Sequence, residues 1–176
     1  AAVPELGMPE RPGTKWCGRT PLHFAAEAGH ADICSLLVRA GGAQLEARSK
    51  VGLTPVLSAA AAGQLASLKI LVDFKADLEV VQEGDAARRN VFHILAVKRT
   101  EQHFVCLRWL LETLLVEDPK RLLQMLEMED SDLRRPVDLA QQRGRSHQAL
   151  LRTLRKTREM NDAVPDKGSG ASTPSK

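Results

Sequence analysis

The chain has 176 residues, of which 43% are hydrophobic and 27% charged, with a formal net charge of +3. That length suits one domain, and the balance argues against a chain that stays disordered. The longest apolar runs, such as Leu57–Ala62, are far too short to span a bilayer. Aromatic residues make up only 3%, with no Tyr, which suits a helical core built from Ala and Leu better than one filled with rings.

Residues 1–14 carry Pro4, Pro9 and Pro12 among charges and show no basic-then-apolar leader pattern, so an extended or disordered segment is expected there. Three widely spaced cysteines, Cys17, Cys34 and Cys106, suit reduced thiols in the cytoplasm or nucleus rather than a disulfide framework. The mild positive charge permits contact with acidic surfaces without arguing for it.

Self-similarity begins at Gly18-Arg19-Thr20-Pro21-Leu22-His23-Phe24-Ala25-Ala26, followed by Gly29-His30, and Gly52-Leu53-Thr54-Pro55-Val56-Leu57-Ser58-Ala59-Ala60 with Gly63-Gln64 comes 34 residues later. A third copy, Asn90-Val91-Phe92-His93-Ile94-Leu95-Ala96, is degraded. A fourth runs Arg135-Pro136-Val137-Asp138-Leu139-Ala140, then Gly144-Arg145. Thr before Pro predicts a helix start, because the hydroxyl caps free amides and Pro at the first helical position gives up no hydrogen bond. The glycines 29, 63 and 144 predict where that first helix ends in a left-handed residue. A second helix follows in each copy, with apolar residues at i, i+3 and i+4: Ile33, Leu36 and Leu37, then Leu68, Leu71 and Val72, then Leu107, Leu110 and Leu111, and finally Leu150, Leu151 and Leu154. Gly42–Ala47 and Ala76–Val80 lead from these helices into the next turn.

On these residues the sequence resembles the ankyrin-repeat family, closely in the first two copies and in outline in the others. The resemblance covers about residues 15–154 and implies an all-α ankyrin-repeat solenoid of helix-turn-helix and β-turn finger units. Repeats are expected at about 15–48, 49–82, 85–129 and 130–160, with a disordered tail over 161–176. Departures concentrate in the second half. Asn90 and Val91 in the Thr and Pro slots predict a weaker helix start, Arg99–His103 reads as extra residues between two helices, and Asp118-Pro119 opens an inserted helical stretch through Leu122, Leu123 and Met125. Those insertions make the third repeat the expected weak point. The fourth copy has Arg135 for Thr and Leu133 for the finger glycine, and its polar last helix reads as a cap.

The resemblance implies a protein-protein interaction module or scaffold, not an enzyme, monomeric, with no cofactor. Its partner face is the concave surface of finger tips and first helices. By position that face takes Trp16, Cys17, Arg19, Lys50, Val51, Leu53, Ala87, Arg89, Ser131, Asp132 and Arg134 from the fingers. Glu27, Ala61, Ala62, Val97, Lys98 and Gln142 come from the first helices. Among these, Trp16, Arg19, Glu27, Lys50, Val51, Leu53, Ala61, Ala62, Arg89, Lys98 and Arg134 are the candidate partner-binding residues. Trp16 could equally cover an uncapped first repeat, whereas Trp109 lies in an apolar helical run and is expected in the core.

No metal site is expected. His23 and His30 fill ordinary repeat positions, and Cys17 and Cys34 lack metal-finger spacing. No phosphate loop, nucleophile elbow or Cys–His pairing suggests catalysis. The basic series Arg143, Arg145, Arg152, Arg155, Lys156 and Arg158 could bind nucleic acid or acidic lipid, a weaker reading than cationic residues complementing the dipole of a terminal helix. A second alternative is a regulatory ankyrin fragment of a larger enzyme or membrane protein.

Overall fold

The computed structural model describes residues 18–79, 81, 82, 88–98, 100–140 and 144–162, the side chains of 145, 147 and 162 aside. The N-terminal segment 1–14 and the tail from 163 onward lie outside the described residues. The described secondary structure is helical, with no strand.

Each repeat motif becomes a helix pair. The first pair is α1 (Pro21–Ala28) and α2 (Ala31–Arg39), and the second is α3 (Pro55–Ala62) and α4 (Leu65–Asp73). The third pair is α5 (Val91–Val97) and α6 (Glu101–Glu117). After the inserted α7 (Pro119–Glu127), the fourth is α8 (Pro136–Ala140) and α9 (Arg145–Asp162). First helices stack as one row, α1 on α3 on α5 on α8, and second helices as another, α2 on α4 on α6 on α9. The core between the rows is mostly Leu and Ala, with Phe92 the one fully buried Phe or Trp among the described residues.

The helix starts follow the expected chemistry with one reversal. Pro occupies the first turn of α1, α3 and α7, and the left-handed residues Gly29 and Gly63 end α1 and α3. A Cβ on Gly63 would sit 2.9 Å from His103 Nδ1, so only glycine allows the next repeat to approach this closely. The reversal is at α5. Asn90 Oδ1 accepts from Phe92 N and His93 N, and Asn90 Nδ2 donates to Met125 O at 2.7 Å. Thr54 supplies a single cap bond, at 3.4 Å. The carboxamide, an acceptor and a donor in one side chain, does more at this start than the hydroxyl it replaces.

Three other expectations change. Residues 101–103 open α6 and are no part of a loop, because Thr100 hydrogen-bonds to His103 through its hydroxyl; the extra chain therefore lengthens a helix. The third repeat is far from poorly packed, since Val91–Ala96 are all buried and α6 touches α3, α4, α5, α7 and α9. In α2, Ile33 and Leu36 are exposed. The side that α4 turns to α2 has no preceding helix to meet in α2 among the described residues. Leu151 in α9 is exposed as well, while Trp109 is half-buried against the core with Lys69 Nζ 5.5 Å from its ring centroid.

The inserted α7 is anchored by design of its ends. Asp118 accepts from Arg121 N, Leu122, Met125 and Leu126 are buried against the α6 and α9 side, and Arg121 Nε reaches back 2.7 Å to Glu79. It takes over a linking role that Glu46 plays between the first two repeats by accepting from Asp77 N at 2.8 Å.

Candidate functional site

The finger tips are held in register by side chains that bond across repeats. His23 Nδ1 accepts from Thr20 N and Oγ1, and its Nε2–H donates 2.8 Å to Leu53 O in the second finger. His93 repeats the arrangement, with Nδ1 accepting from Asn90 N and Nε2–H donating 2.9 Å to Arg134 O in the fourth finger. Burial above all holds both imidazoles below their ordinary value of 6.5, so they are neutral and of one tautomer. Away from the fingers, His103 at the start of α6 also bonds across repeats, donating 2.9 Å to Ala61 O at the end of α3.

Each finger turns through a left-handed residue two positions before its helix cap. Gly18 (φ 77°) and Gly52 (φ 72°) hold this place in the regular fingers, Arg88 (φ 42°) and Leu133 (φ 58°) in the irregular ones. In the second finger Ser49 supplies the inner bonds: Leu53 N donates to Ser49 Oγ at 3.1 Å, and Ser49 N to Leu53 O. Asp130 is its counterpart in the fourth. Its carboxylate, fully buried, accepts from Asp132 N, Arg134 N and the Arg134 guanidinium, and lies 3.6 Å from Arg89 Nε. Burial opposes ionisation, yet these hydrogen bonds and charges outweigh it and hold the carboxyl below the usual range. The fourth helix start is similarly rebuilt, with Asp138 accepting from Arg135 N and pairing with the Arg135 guanidinium.

Against this frame the candidate residues divide. Lys50 and Lys98 are exposed, as is Val51 at 38%. Ala61 and Ala62 are half-buried on the end of α3. Arg19 is bonded to Glu27 and lies over the Phe24 ring, with its side chain only 10% exposed. Leu53 is half-buried against the core. Arg89 and Arg134 converge on Asp130, and Arg134 also pairs with Asp132. Ser131 and Asp132 are exposed and Val97 is half-buried. Trp16, Cys17, Ala87 and Gln142 lie outside the described residues. Leu133, 76% exposed at the fourth finger tip, went unselected; its spacing of three from Pro136, matching Gly52 to Pro55, was the available signal.

Among the described residues no group of three or more His, Cys, Asp or Glu side chains converges to hold a metal. His23 is committed to Thr20 and Leu53, and Cys34 Sγ lies 4.0 Å from Ser67 Oγ. Burial pushes the Cys34 thiol up, and the Cys106 thiol up to about 11, so neither is a thiolate nucleophile at neutral pH. No described helix is long and apolar enough to cross a membrane.

Residues 4–82 match the family model described as Ankyrin repeats (3 copies). No curated protein matches the chain. Repeats of this family are generally protein-interaction modules and typically non-enzymatic. With paired helices, fingers and two stacked rows, the described residues fold as an all-α ankyrin-repeat solenoid, whose first half matches the ankyrin-repeat family model.

Proposed function

We propose that this chain binds a protein partner across its finger tips and first helices. One observation carries the reading: the fingers are locked to their neighbours by part-buried bonds such as His23 to Leu53 O and His93 to Arg134 O. A rigid surface loses little conformational freedom on binding, which favours affinity at a given area. Lys50, Val51, Ala61, Ala62 and Lys98 form its more open part, where small alanines leave room for a partner side chain. Arg19, Glu27, Leu53, Arg89 and Arg134 shape its framework through the contacts above, and Trp16 is assigned to the same face by its place in the repeat. Arg and Trp are the residue types most often dominant in interfaces.

The test is a quantitative pull-down comparing wild type with Val51→Glu combined with Ala62→Arg. Both positions are outside the deep core, so the unfolding midpoint should change little while specific partners are lost. Recovery of the same partners in the same amounts by both proteins would overturn the reading.

A further inference from the structure

Helix α9 runs 18 residues, against nine in α2 and in α4. Among its described side chains the buried ones are Ser146, Leu150, Leu154 and Thr157, one narrow side set against α6, α7 and α8. The opposite side presents Gln148, Leu151, Arg152, Arg155, Lys156, Glu159 and Met160 to solvent. Arg152, Arg155 and Lys156 lie at i, i+3 and i+4 and therefore share one face. None of the three has an ion pair among the described residues, whereas Arg158 is bonded to Glu127 at 2.6 Å. Among the described side chains Glu159 is the one acidic residue on that exposed side.

The helix dipole does not account for these charges. Its influence fades within the terminal turn, and the last turn of α9 has no basic residue because the helix continues to Asp162. Nor is the surface purely polar, since Leu151 is 46% exposed and Met160 39% exposed at the two margins of the cationic stripe. Cations flanked by apolar side chains suit a surface with charged headgroups above hydrocarbon, where Arg and Lys bind phosphate and the apolar groups enter the boundary. A nucleic acid would engage the cations but gives Leu151 and Met160 nothing apolar to enter, and α9 holds no Phe, Trp or Tyr to stack on bases.

We propose that the outer face of α9 is an adsorption surface for anionic bilayers, through Arg152, Arg155 and Lys156 on phosphatidylserine-type headgroups with Leu151 and Met160 at the edges. It belongs to the row of second helices, so occupation by lipid leaves the fingers free for a protein. Each basic residue near such a surface strengthens adsorption about fivefold, so three together contribute about a hundredfold.

The full chain is sedimented with phosphatidylcholine vesicles, with and without phosphatidylserine, at increasing salt. Wild type should bind the phosphatidylserine vesicles selectively and release as salt screens the charges. R152Q/R155Q/K156Q should weaken binding about a hundredfold with an unchanged circular dichroism spectrum, while R152K/R155K should retain it. Leu151→Gln with Met160→Gln should weaken vesicle binding and leave any duplex DNA binding alone. Equal binding to both vesicle types, or a triple variant that binds like wild type, overturns the proposal. So does tighter binding to duplex DNA that is lost in the triple variant and indifferent to Leu151 and Met160.

Discussion

The half of the solenoid from Gly18 to Gln82 and the half from Arg88 to Asp162 build the same finger and the same helix start from different chemistry. The first uses glycine for the left-handed turn, Thr-Pro for the cap and a neutral Ser49 inside the finger. The second uses Arg88 and Leu133 for the turn, Asn90 or an Arg135–Asp138 pair for the cap, and a buried, ionised Asp130. Backbone geometry is thus the shared quantity, and side chains are interchangeable where they satisfy the same amides. A weak match to the repeat pattern does not mean a weakly made repeat: α5, the least regular first helix by sequence, is buried over six consecutive residues.

The comparison can be pushed hardest at the finger interiors. Asp130→Ala strips the bonds to Asp132 N and Arg134 N and leaves Arg89 and Arg134 without their shared carboxylate. A loss of about 3 kcal/mol in urea unfolding is expected, against about 1 kcal/mol for Ser49→Ala in the regular finger. Equal losses would mean that the charge adds nothing to the turn.

The helix starts give the next largest contrast. Asn90→Ala removes two cap bonds and the link to Met125 O, for about 2 kcal/mol; Thr54→Ala removes one long bond, for about 1 kcal/mol. Denaturant midpoints in the opposite order would restore Thr-Pro as the stronger start.

At the finger turns the signs should oppose. Leu133→Gly relieves a left-handed leucine and should raise stability by about 1 kcal/mol, while Gly52→Ala imposes that strain and should lower it by about as much. Thermal unfolding of both variants measures this. A destabilised Leu133→Gly would show that Leu133 makes contacts worth more than its strain.

The smallest expected effect is one of pH, and here the halves should behave alike. His23 and His93 titrate below their ordinary value of 6.5 because burial disfavours the cation. The folded state therefore binds fewer protons than the unfolded one around that value. Their contribution is fully present above pH 6.5 and is lost as pH falls through the depressed folded values. Protonation also turns each Nδ1 from acceptor to donor and breaks the bonds from the backbone N–H groups of Thr20 and Asn90. The unfolding temperature should fall from pH 7 toward pH 5, with a shallower fall when both are replaced by Gln. An unchanged slope would place the acid sensitivity elsewhere.

Much of this was legible in the residues themselves. Thr-Pro, Gly29 and Gly63, and the i, i+3, i+4 apolar spacing located the regular helices, because capping, left-handed turns and amphipathic periodicity act over a few residues. Lys50 and Val51 were placed at a finger tip by repeat position alone. The fates of Arg19, Arg89 and Arg134 were not legible, since a charge reads the same whether exposed or engaged by Glu27 or Asp130. Neither was Asn90, whose strength depends on Met125 O, 35 residues away. Local sequence by itself determined the repeat pattern, the helix starts and the solvent-facing stripe of α9. Only the tertiary stacking decided which polar groups are buried and bonded, because burial and hydrogen bonding across repeats depend on neighbours that no local pattern contains.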